Sequence, residues 1–207
     1  MVSTDDNDLH EAWVRWISPD TSRLEGLLLR YRERHRRYHT AAHMASVVGN
    51  VEQLSNEEQL NDIGTIVAAA FYHDAVYEAT YPANERASAR LAKRDLFELA
   101  WEPKRIETVA AMIEATAKHQ APADIDTAVL FDADLAILGS PSDEYSAYVK
   151  AVRSEYRHLD DDEWRTGRSH VIESFLERSE IYNTATGRLQ WAEAARINLT
   201  KEVETVS

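Results

Sequence analysis

Apolar side chains recur along the chain at intervals of three and four residues, which is the period of an amphipathic α-helix. In residues 21–34, for example, Leu24, Leu27, Leu28 and Tyr31 share one side. No stretch needs a strand. The pattern predicts ten helices: 9–17, 21–34, one from His39 or Thr40 to Leu54, one opening at 55–59 and carrying Ile63 to Phe71, 84–99, 103–118, 124–138, 141–157, 160–182 and 189–203.

Local signals predict several helix ends. Ser55 with Glu58 three residues later is a capping-box pattern, which predicts that the fourth helix opens there. Pro103 and Pro141 suit the first position of a helix, and Gly139 suits the end of one. Because no linker, repeat or compositional break interrupts the pattern, we expect one all-α domain over residues 1–207, a multi-helix bundle with packing helices at 8–34 and a core at about 30–203.

Composition narrows the class further. Six Gly and five Pro in 207 residues argue against a many-stranded β protein, and the lack of Cys excludes disulfides, thiolate metal sites and Cys nucleophiles. The net charge of −13 argues against nucleic acid or an anionic membrane as partner. The acidic start lacks the apolar core of a signal peptide, and the apolar run 66–72 is too short to span a bilayer. We expect a cytoplasmic protein, and apolar helix faces leave room for a homodimer.

Two histidines four residues apart, His39 and His43, are the first candidate for chemistry. If both are helical they project from one face and can share a site, although such a pair is also a common accident. Arg36 and Arg37 precede them and offer donors suited to an anion.

The dipeptide His73-Asp74 follows the apolar run 67–72, so it lies at the end of a buried helix. Two interpretations stay open. The pair can supply two ligands to one ion, or His73 complements the helix dipole while Asp74 begins a turn.

Asp134 lies in an apolar setting, since its neighbours three and four positions away are Leu130, Phe131, Ile137 and Leu138. A helix therefore drives its carboxylate into the core, where a metal, a cation or dense hydrogen bonding must neutralise it. A salt bridge to an arginine is the structural alternative. Asp132 faces about 200° away and is more easily solvated or used as a helix cap.

Further polar residues stand at predicted helix ends. Thr116, Lys118 and His119 lie at the end of the helix predicted at 103–118. Asn84 and Glu85 begin the preceding helix, predicted at 84–99. Taken alone, Asn84 is an ordinary N-cap and the two cations are favourable charges at a C-terminus.

Together, His43, His73, Asp74 and Asp134 supply two imidazoles and two carboxylates, a sulfur-free set suited to Mn²⁺, Mg²⁺, Fe or Zn²⁺. This ordered series resembles the HD-domain superfamily of metal-dependent phosphohydrolases, whose signature is a His, an adjacent His-Asp and a later Asp. Segments 37–43, 71–77, 84–89, 116–119 and 132–139 resemble a bacterial group of predicted HD phosphohydrolases of unassigned substrate, and the resemblance extends over about 30–203.

The resemblance implies roles for individual residues. A more distant similarity to cyclic-nucleotide phosphodiesterases implies that His43, His73, Asp74 and Asp134 are metal ligands and that His39 gives a proton to the leaving oxygen. His119 and Asn84 would lie near the metal or the substrate phosphate. In the bacterial group a Lys often follows the Thr directly, whereas here Ala117 intervenes before Lys118.

The implied reaction is hydrolysis of a phosphoester or phosphoanhydride, in a small phosphorylated metabolite or nucleotide, by water activated on a divalent metal ion. We expect His39, Asp74 and His119 to act in catalysis. The residues expected to bind substrate are Arg36, Arg37, Asn84, Glu85, Lys118 and Arg168.

Two other functions remain open on the same residues. One is a di-iron oxygenase that adds His39 or His119 as ligands. The other is a non-catalytic helical module in which the ion serves folding or sensing. The chain has neither a P-loop nor a dinucleotide-binding motif to compete with these.

Overall fold

The computed structural model describes residues 4–120 and 122–206 and places them in ten α-helices. These are α1 Thr4–Trp16, α2 Ser22–Tyr31, α3 Ala41–Ser55, α4 Ile63–Tyr72, α5 Asn84–Glu98, α6 Pro103–Thr116, α7 Ile125–Leu135, α8 Ser142–Glu155, α9 Asp161–Leu176 and α10 Ala185–Val206, with a 3₁₀ turn at Ala136–Gly139 after α7. Within the described ranges no strand occurs, so the predicted all-α class is confirmed.

Helix α4 is the centre of the molecule. Every residue from Gly64 to Tyr72 is buried, because this helix is apolar on all sides and other helices cover it all round. Helices α1, α3, α5, α6 and α7 pack against it. The C-terminal end of α4 therefore delivers His73 into the interior.

Two apolar cores meet at helix α7. The first surrounds α4 and includes Ala133, while the second lies among the 3₁₀ turn, α8, α9 and α10 and includes Leu135. Trp191 of α10 packs against both. Asp134 therefore lies between Ala133, which belongs to the first core, and Leu135, which belongs to the second.

Close approach of α10 to α7 and the 3₁₀ turn requires glycine at two positions. A Cβ on Gly139 would lie 2.8 Å from the Cα of Trp191, and one on Gly187 would lie 2.5 Å from Oδ2 of Asp132. Both distances are far shorter than any van der Waals contact. The start of α10 is thereby pressed onto the buried end of α7.

Asp132 explains this contact and corrects one expectation. The prediction that it is easily solvated is wrong, because its side chain is fully buried. Its carboxylate accepts the backbone N–H of Asn183 and of Thr184 and the Thr184 hydroxyl. Thr184 is the residue before α10, and its hydroxyl also accepts the N–H of Gly187, so Asp132 holds the residue that caps α10 and does not cap a helix itself.

Several predicted boundaries move. The Ser55–Glu58 capping box is wrong, since α3 runs through Ser55 and α4 begins at Ile63 with Asp62 as its N-cap. Glu58 instead accepts the N–H of Thr186 at the start of α10. Helix α9 ends at Leu176 rather than at 182, because the chain must turn for Tyr182 to enter the second core. No helix in the described part of the chain is long and apolar enough to cross a bilayer.

Candidate metal centre

Helix α3 begins too late to carry both histidines of the first pair. It starts at Ala41, so His39 lies in the preceding bend and the prediction that the pair projects from one helical face is wrong. His43 occupies the third helical position and is buried. The rings still approach each other, with centroids 5.8 Å apart, but from two different local structures.

His73 ends the buried helix α4 and has a fixed tautomer. Its Nδ1 donates to the carbonyl of Ala70 at 2.9 Å, which places the proton on Nδ1 and directs Nε2 away from the helix. Metal-ligating histidines characteristically use one ring nitrogen in this way. The Nε2 atom is the one that points towards His43.

Four side chains converge in front of this nitrogen. The Nε2 atoms of His43 and His73 lie 3.2 Å apart. Oδ1 of Asp134 lies 3.2 Å from the first and 3.6 Å from the second, and Oδ2 of Asp74 lies 3.5 Å and 3.1 Å from them. The ligand atoms of His43, His73 and Asp134 all lie within 4.8 Å of one another, so these three residues form a group that can hold a metal ion.

Electrostatics favours the ionised carboxylates. Burial raises the pKa of Asp74, but the His73 and His39 imidazoles outweigh it and hold that pKa well below its usual range. Burial also raises the pKa of Asp134, but His73 and His119 outweigh it and bring that pKa well below the ordinary value. Burial lowers the pKa of His73, yet Asp74 raises it to well above normal. A divalent cation would take over the role of these imidazole protons, since metal and proton compete for the same nitrogens.

His119 joins the cluster from the other side. Its Nε2 lies 2.9 Å from Oδ2 of Asp134, so this aspartate contacts three imidazoles and its pairing does not take the form of an arginine salt bridge. The His119 backbone has a φ of 44°, in the left-handed region that favours glycine. Such strain in a non-glycine residue is typical of functional sites.

His39 is held beside the cluster by Glu155, a residue outside the set predicted from the sequence. Glu155, at the end of α8, accepts the Nδ1 proton of His39 with Oε2 at 2.6 Å. Its Oε1 accepts the backbone N–H groups of Arg37, Tyr38 and His39 at 2.6, 2.8 and 3.1 Å. The whole turn before α3 is therefore built on one buried carboxylate.

A signal for Glu155 was present in the sequence. It lies three residues after Val152, seven after Tyr148 and ten after Tyr145, on the apolar face of α8. As with Asp134, apolar neighbours on one helix face predict a carboxylate that is drawn into the interior and needs a partner there. Tyr77 also contacts this carboxylate, donating its hydroxyl to Oε2 at 2.9 Å.

Arg36 lies at the site but serves the backbone, which corrects its predicted role in substrate binding. Its side chain has no exposed surface, and its Nη1 donates to the carbonyls of His39 at 3.0 Å and Asp74 at 2.8 Å. Arg36 thus ties the segment before α3 to the segment after α4. No donor of this buried group faces a substrate.

Arg168 and Asn84 are likewise engaged within the protein. Arg168 forms a buried two-point ion pair with Glu202 at 2.7 and 2.9 Å, so its charge is already neutralised. The Asn84 side chain bridges the backbone N–H and carbonyl of Glu78 at 3.1 and 2.9 Å and closes the loop before α5. Arg168 nevertheless lines a cavity together with His39 and His119, and Asn84 lines another together with Glu85 and Lys118.

The remaining predicted substrate residues lie near cavities. Arg37 is exposed, and its guanidinium donates to the carbonyls of Arg34 and Arg36. Lys118 is exposed just before His119, and together with Glu85 it lines a cavity at the start of α5.

Two larger cavities border the cluster. The α3 cavity, of about 590 Å³, is lined by Arg37, His43, Ser46, Asn50 and Trp191 among others. The α9 cavity, of about 550 Å³, is lined by His39, Lys118, His119, Trp164 and Phe175 among others. Tyr38, Asp134, Ile137 and Tyr148 line both cavities and form the boundary between them.

Comparison of the chain with protein-family models, with curated proteins and with solved structures gives no match.

Proposed function

We propose that this chain is a metal-dependent phosphohydrolase of the HD-domain type, which acts on a small phosphorylated metabolite or nucleotide. One observation carries the proposal: the nitrogens of His43 and His73 converge with carboxylate oxygens of Asp74 and Asp134, and His39 stands beside them. The ordered series of these residues, which resembles the HD signature, supports the same function.

The donor set suits a hard or borderline divalent ion, with two imidazole nitrogens and two carboxylates and no sulfur. We propose Asp74 as the fourth ligand, since its Oδ2 lies 3.1 and 3.5 Å from the two Nε2 atoms. Mn²⁺, Mg²⁺, Fe and Zn²⁺ are the candidate metals. When bound, the ion would supply Lewis-acid activation of water and of a phosphoryl oxygen.

His39 is the proposed proton donor to the leaving oxygen. Its Nδ1 is committed to Glu155, so Nε2 is the atom that remains to exchange a proton with a substrate. Glu155 is a positioning residue in this proposal, because it sets both the ring and the backbone that carries it.

Lys118 and His119 are the proposed phosphate-binding residues. Both lie on the α9 cavity, next to Asp134 and His39, and they bring donors to the place where phosphate oxygens would lie. With a net charge of −13, the chain would repel a long nucleic acid, so a small substrate is favoured.

A di-iron oxygenase is the second candidate, and the position of His119 is the observation that favours it. Its Nε2 lies 2.9 Å from Oδ2 of Asp134, so His119 and Asp134 would together offer ligands to a second ion. Two Fe per chain together with O₂ consumption would establish this alternative and contradict the hydrolase.

The deciding experiment is a screen for phosphate release from nucleotides and phosphate monoesters with Mn²⁺, Mg²⁺, Co²⁺ or Fe²⁺. We expect turnover that Asp74→Ala abolishes and that Asp143→Ala, which removes an exposed carboxylate on α8, leaves intact. Activity that persists undiminished in Asp74→Ala would indicate a contaminant. If chelation lowers only the melting temperature and no substrate turns over, the metal has a structural role.

A further inference from the structure

The α9 cavity is lined by aromatic side chains as well as by polar ones. Five aromatic rings line it, from Tyr38, Tyr148, Tyr156, Trp164 and Phe175, and each of these residues is half-buried. Exposed ring surface inside a concave site is uncommon unless a ligand covers it. The His39, Lys118 and His119 side chains line the same cavity.

Helix α9 contributes a continuous face to this wall. Trp164, Val171 and Phe175 follow one another at intervals of seven and four residues, which places them on one side of the helix. Val171 is 44% exposed although it lies on the cavity face. An apolar stripe of this kind normally packs into a core, whereas here it faces the open volume beside the proposed metal ligands.

The charges around the α9 cavity match one phosphate group. A divalent ion would be neutralised by Asp74 and Asp134, and Arg168 is neutralised by Glu202. Lys118 and Arg178 remain. Among the described residues, Arg178 donates to the carbonyls of His119 and Lys118, and its guanidinium lies over one face of the Phe175 ring at 4.4 Å. Two positive charges balance a phosphate monoester, which carries about −1.5 to −2 at pH 7. A triphosphate would leave excess negative charge.

The apolar wall offers few groups for reading a polar substrate. The Ser174 hydroxyl, which lines the cavity, already donates to the carbonyl of Val171 at 2.7 Å. The Tyr148 hydroxyl accepts from Arg168 at 3.2 Å and keeps its own proton to donate. The wall therefore offers mainly aromatic surface with few polar groups.

We infer that the α9 cavity binds the organic part of the substrate and that the substrate is a phosphomonoester of an aromatic alcohol. This inference rests on the proposed hydrolase function. Trp164 and Phe175 determine specificity by packing on the aromatic group, while Lys118 binds the phosphate. The α3 cavity does not bind the aromatic group of the substrate, because its lining contains none of His39, Lys118 and His119.

The first test compares substrates of equal phosphate charge. With the full chain and Mn²⁺, we expect kcat/KM for 1-naphthyl phosphate to exceed that for glycerol 3-phosphate, and ATP to be the poorest substrate. Trp164→Ala and Phe175→Leu should each lower the ratio of the first two by about two- to tenfold, chiefly through KM. Lys118→Ala should lower kcat/KM for both monoesters alike.

Matched controls lie outside the cavity. Phe97→Ala removes an aromatic ring that is 72% exposed on α5, and Glu173→Ala changes an exposed residue on α9 itself. Both should leave the substrate ratio unchanged. Melting temperatures of all variants identify any loss of fold.

A binding measurement separates this inference from the hydrolase function. By calorimetry with Mn²⁺, the non-hydrolysable 1-naphthylmethylphosphonate should bind more tightly than methylphosphonate, and Trp164→Ala should remove the difference. If this holds but no monoester is hydrolysed, the function is wrong and the cavity assignment stands. If monoesters are hydrolysed with no aromatic preference, if ATP is the best substrate, or if the Trp164 and Phe175 variants affect both monoesters equally, the cavity assignment is wrong.

Discussion

The Nε2 atoms of His43 and His73 lie 3.2 Å apart, at the start of α3 and at the end of the buried helix α4. His73 has already committed its Nδ1 proton to the carbonyl of Ala70, so its Nε2 is the nitrogen that faces His43. Two carboxylate oxygens, from Asp74 and Asp134, lie within 3.6 Å of these nitrogens. Such a group is satisfied either by shared protons or by a cation.

Metal binding should stabilise the protein through these two histidines. At a free Mn²⁺ or Zn²⁺ concentration a hundred times the Kd, we expect a gain of about 2.7 kcal/mol, or about 5–10 °C in melting temperature. His43→Ala and His73→Ala should abolish the metal-induced shift, whatever their effect on the metal-free protein. His170→Ala, at an exposed position of α9, should retain it. An equal shift in all variants would contradict the site.

Glu155 should make the free energy of unfolding depend on pH in the acid range. Burial raises its pKa, but the hydrogen bond to His39 and the backbone N–H groups lower it from 4.5 to about 2. The folded state therefore binds the proton less well than the unfolded chain, and stability is present above pH 4.5 and lost as the pH falls towards 2. The contribution is up to about 3 kcal/mol, at 1.36 kcal/mol per pKa unit.

Glu155→Gln tests this contribution together with the orientation of His39. We expect the difference in unfolding free energy between wild type and variant to shrink between pH 4.5 and pH 2, followed by urea denaturation. Turnover should fall about 10- to 100-fold at neutral pH, because an amide cannot fix the proton of Nδ1 as the carboxylate does. Wild-type turnover in the variant would show that Glu155 has only a structural role.

The left-handed backbone at His119 should cost the protein stability. His119→Gly and His119→Ala both remove the ring, but only glycine relaxes the φ of 44°, so the glycine variant should be more stable than the alanine variant by about 1 kcal/mol. Ala100, with a φ of 58°, provides the reference, and Ala100→Gly should gain a similar amount. Both substitutions at 119 should lower turnover, whereas Ala100→Gly should not.

Gly187 should tolerate no side chain. An added Cβ would lie 2.5 Å from the buried Asp132 carboxylate, so Gly187→Ala should cost about 2 kcal/mol or more by disturbing the contact between α7 and α10. Gly49→Ala is the matched control, since nothing lies within 4 Å of its added Cβ in the middle of α3. The control should be neutral or should stabilise by about 1 kcal/mol. Equal effects in urea denaturation would contradict the close approach.

Local periodicity was enough to predict the helices but not all of their ends. Asp62 rather than Ser55 caps α4, because the loop 56–62 is held by contacts with distant residues. Asp126 of α7, for instance, accepts the N–H groups of Asn61 and Asp62. A capping pattern read from four residues contains no information about such partners.

The candidate site shows the same division. The apolar neighbours of Asp134 predict a carboxylate driven into the core, whereas its side chain keeps 15% of its surface exposed and lines both cavities. The kinds of ligand follow from the order His43, His73, Asp74 and Asp134. Arg36 and Arg168 could not be judged in this way, since their charges are used by carbonyls and by Glu202 from elsewhere in the chain. From the sequence alone, an arginine near a motif is equally suited to bind a substrate and to donate to backbone carbonyls.

By itself, the sequence determined the all-α class and a set of side chains with the chemistry to bind a divalent ion, because helical period and donor type are properties of neighbouring residues. Only the tertiary structure decided which of them meet. Glu155 reaches the N–H of Arg37 across 118 positions, and the cavity under α9 opens on His39, because helix packing brings together groups whose spacing along the chain is unrelated to their distance.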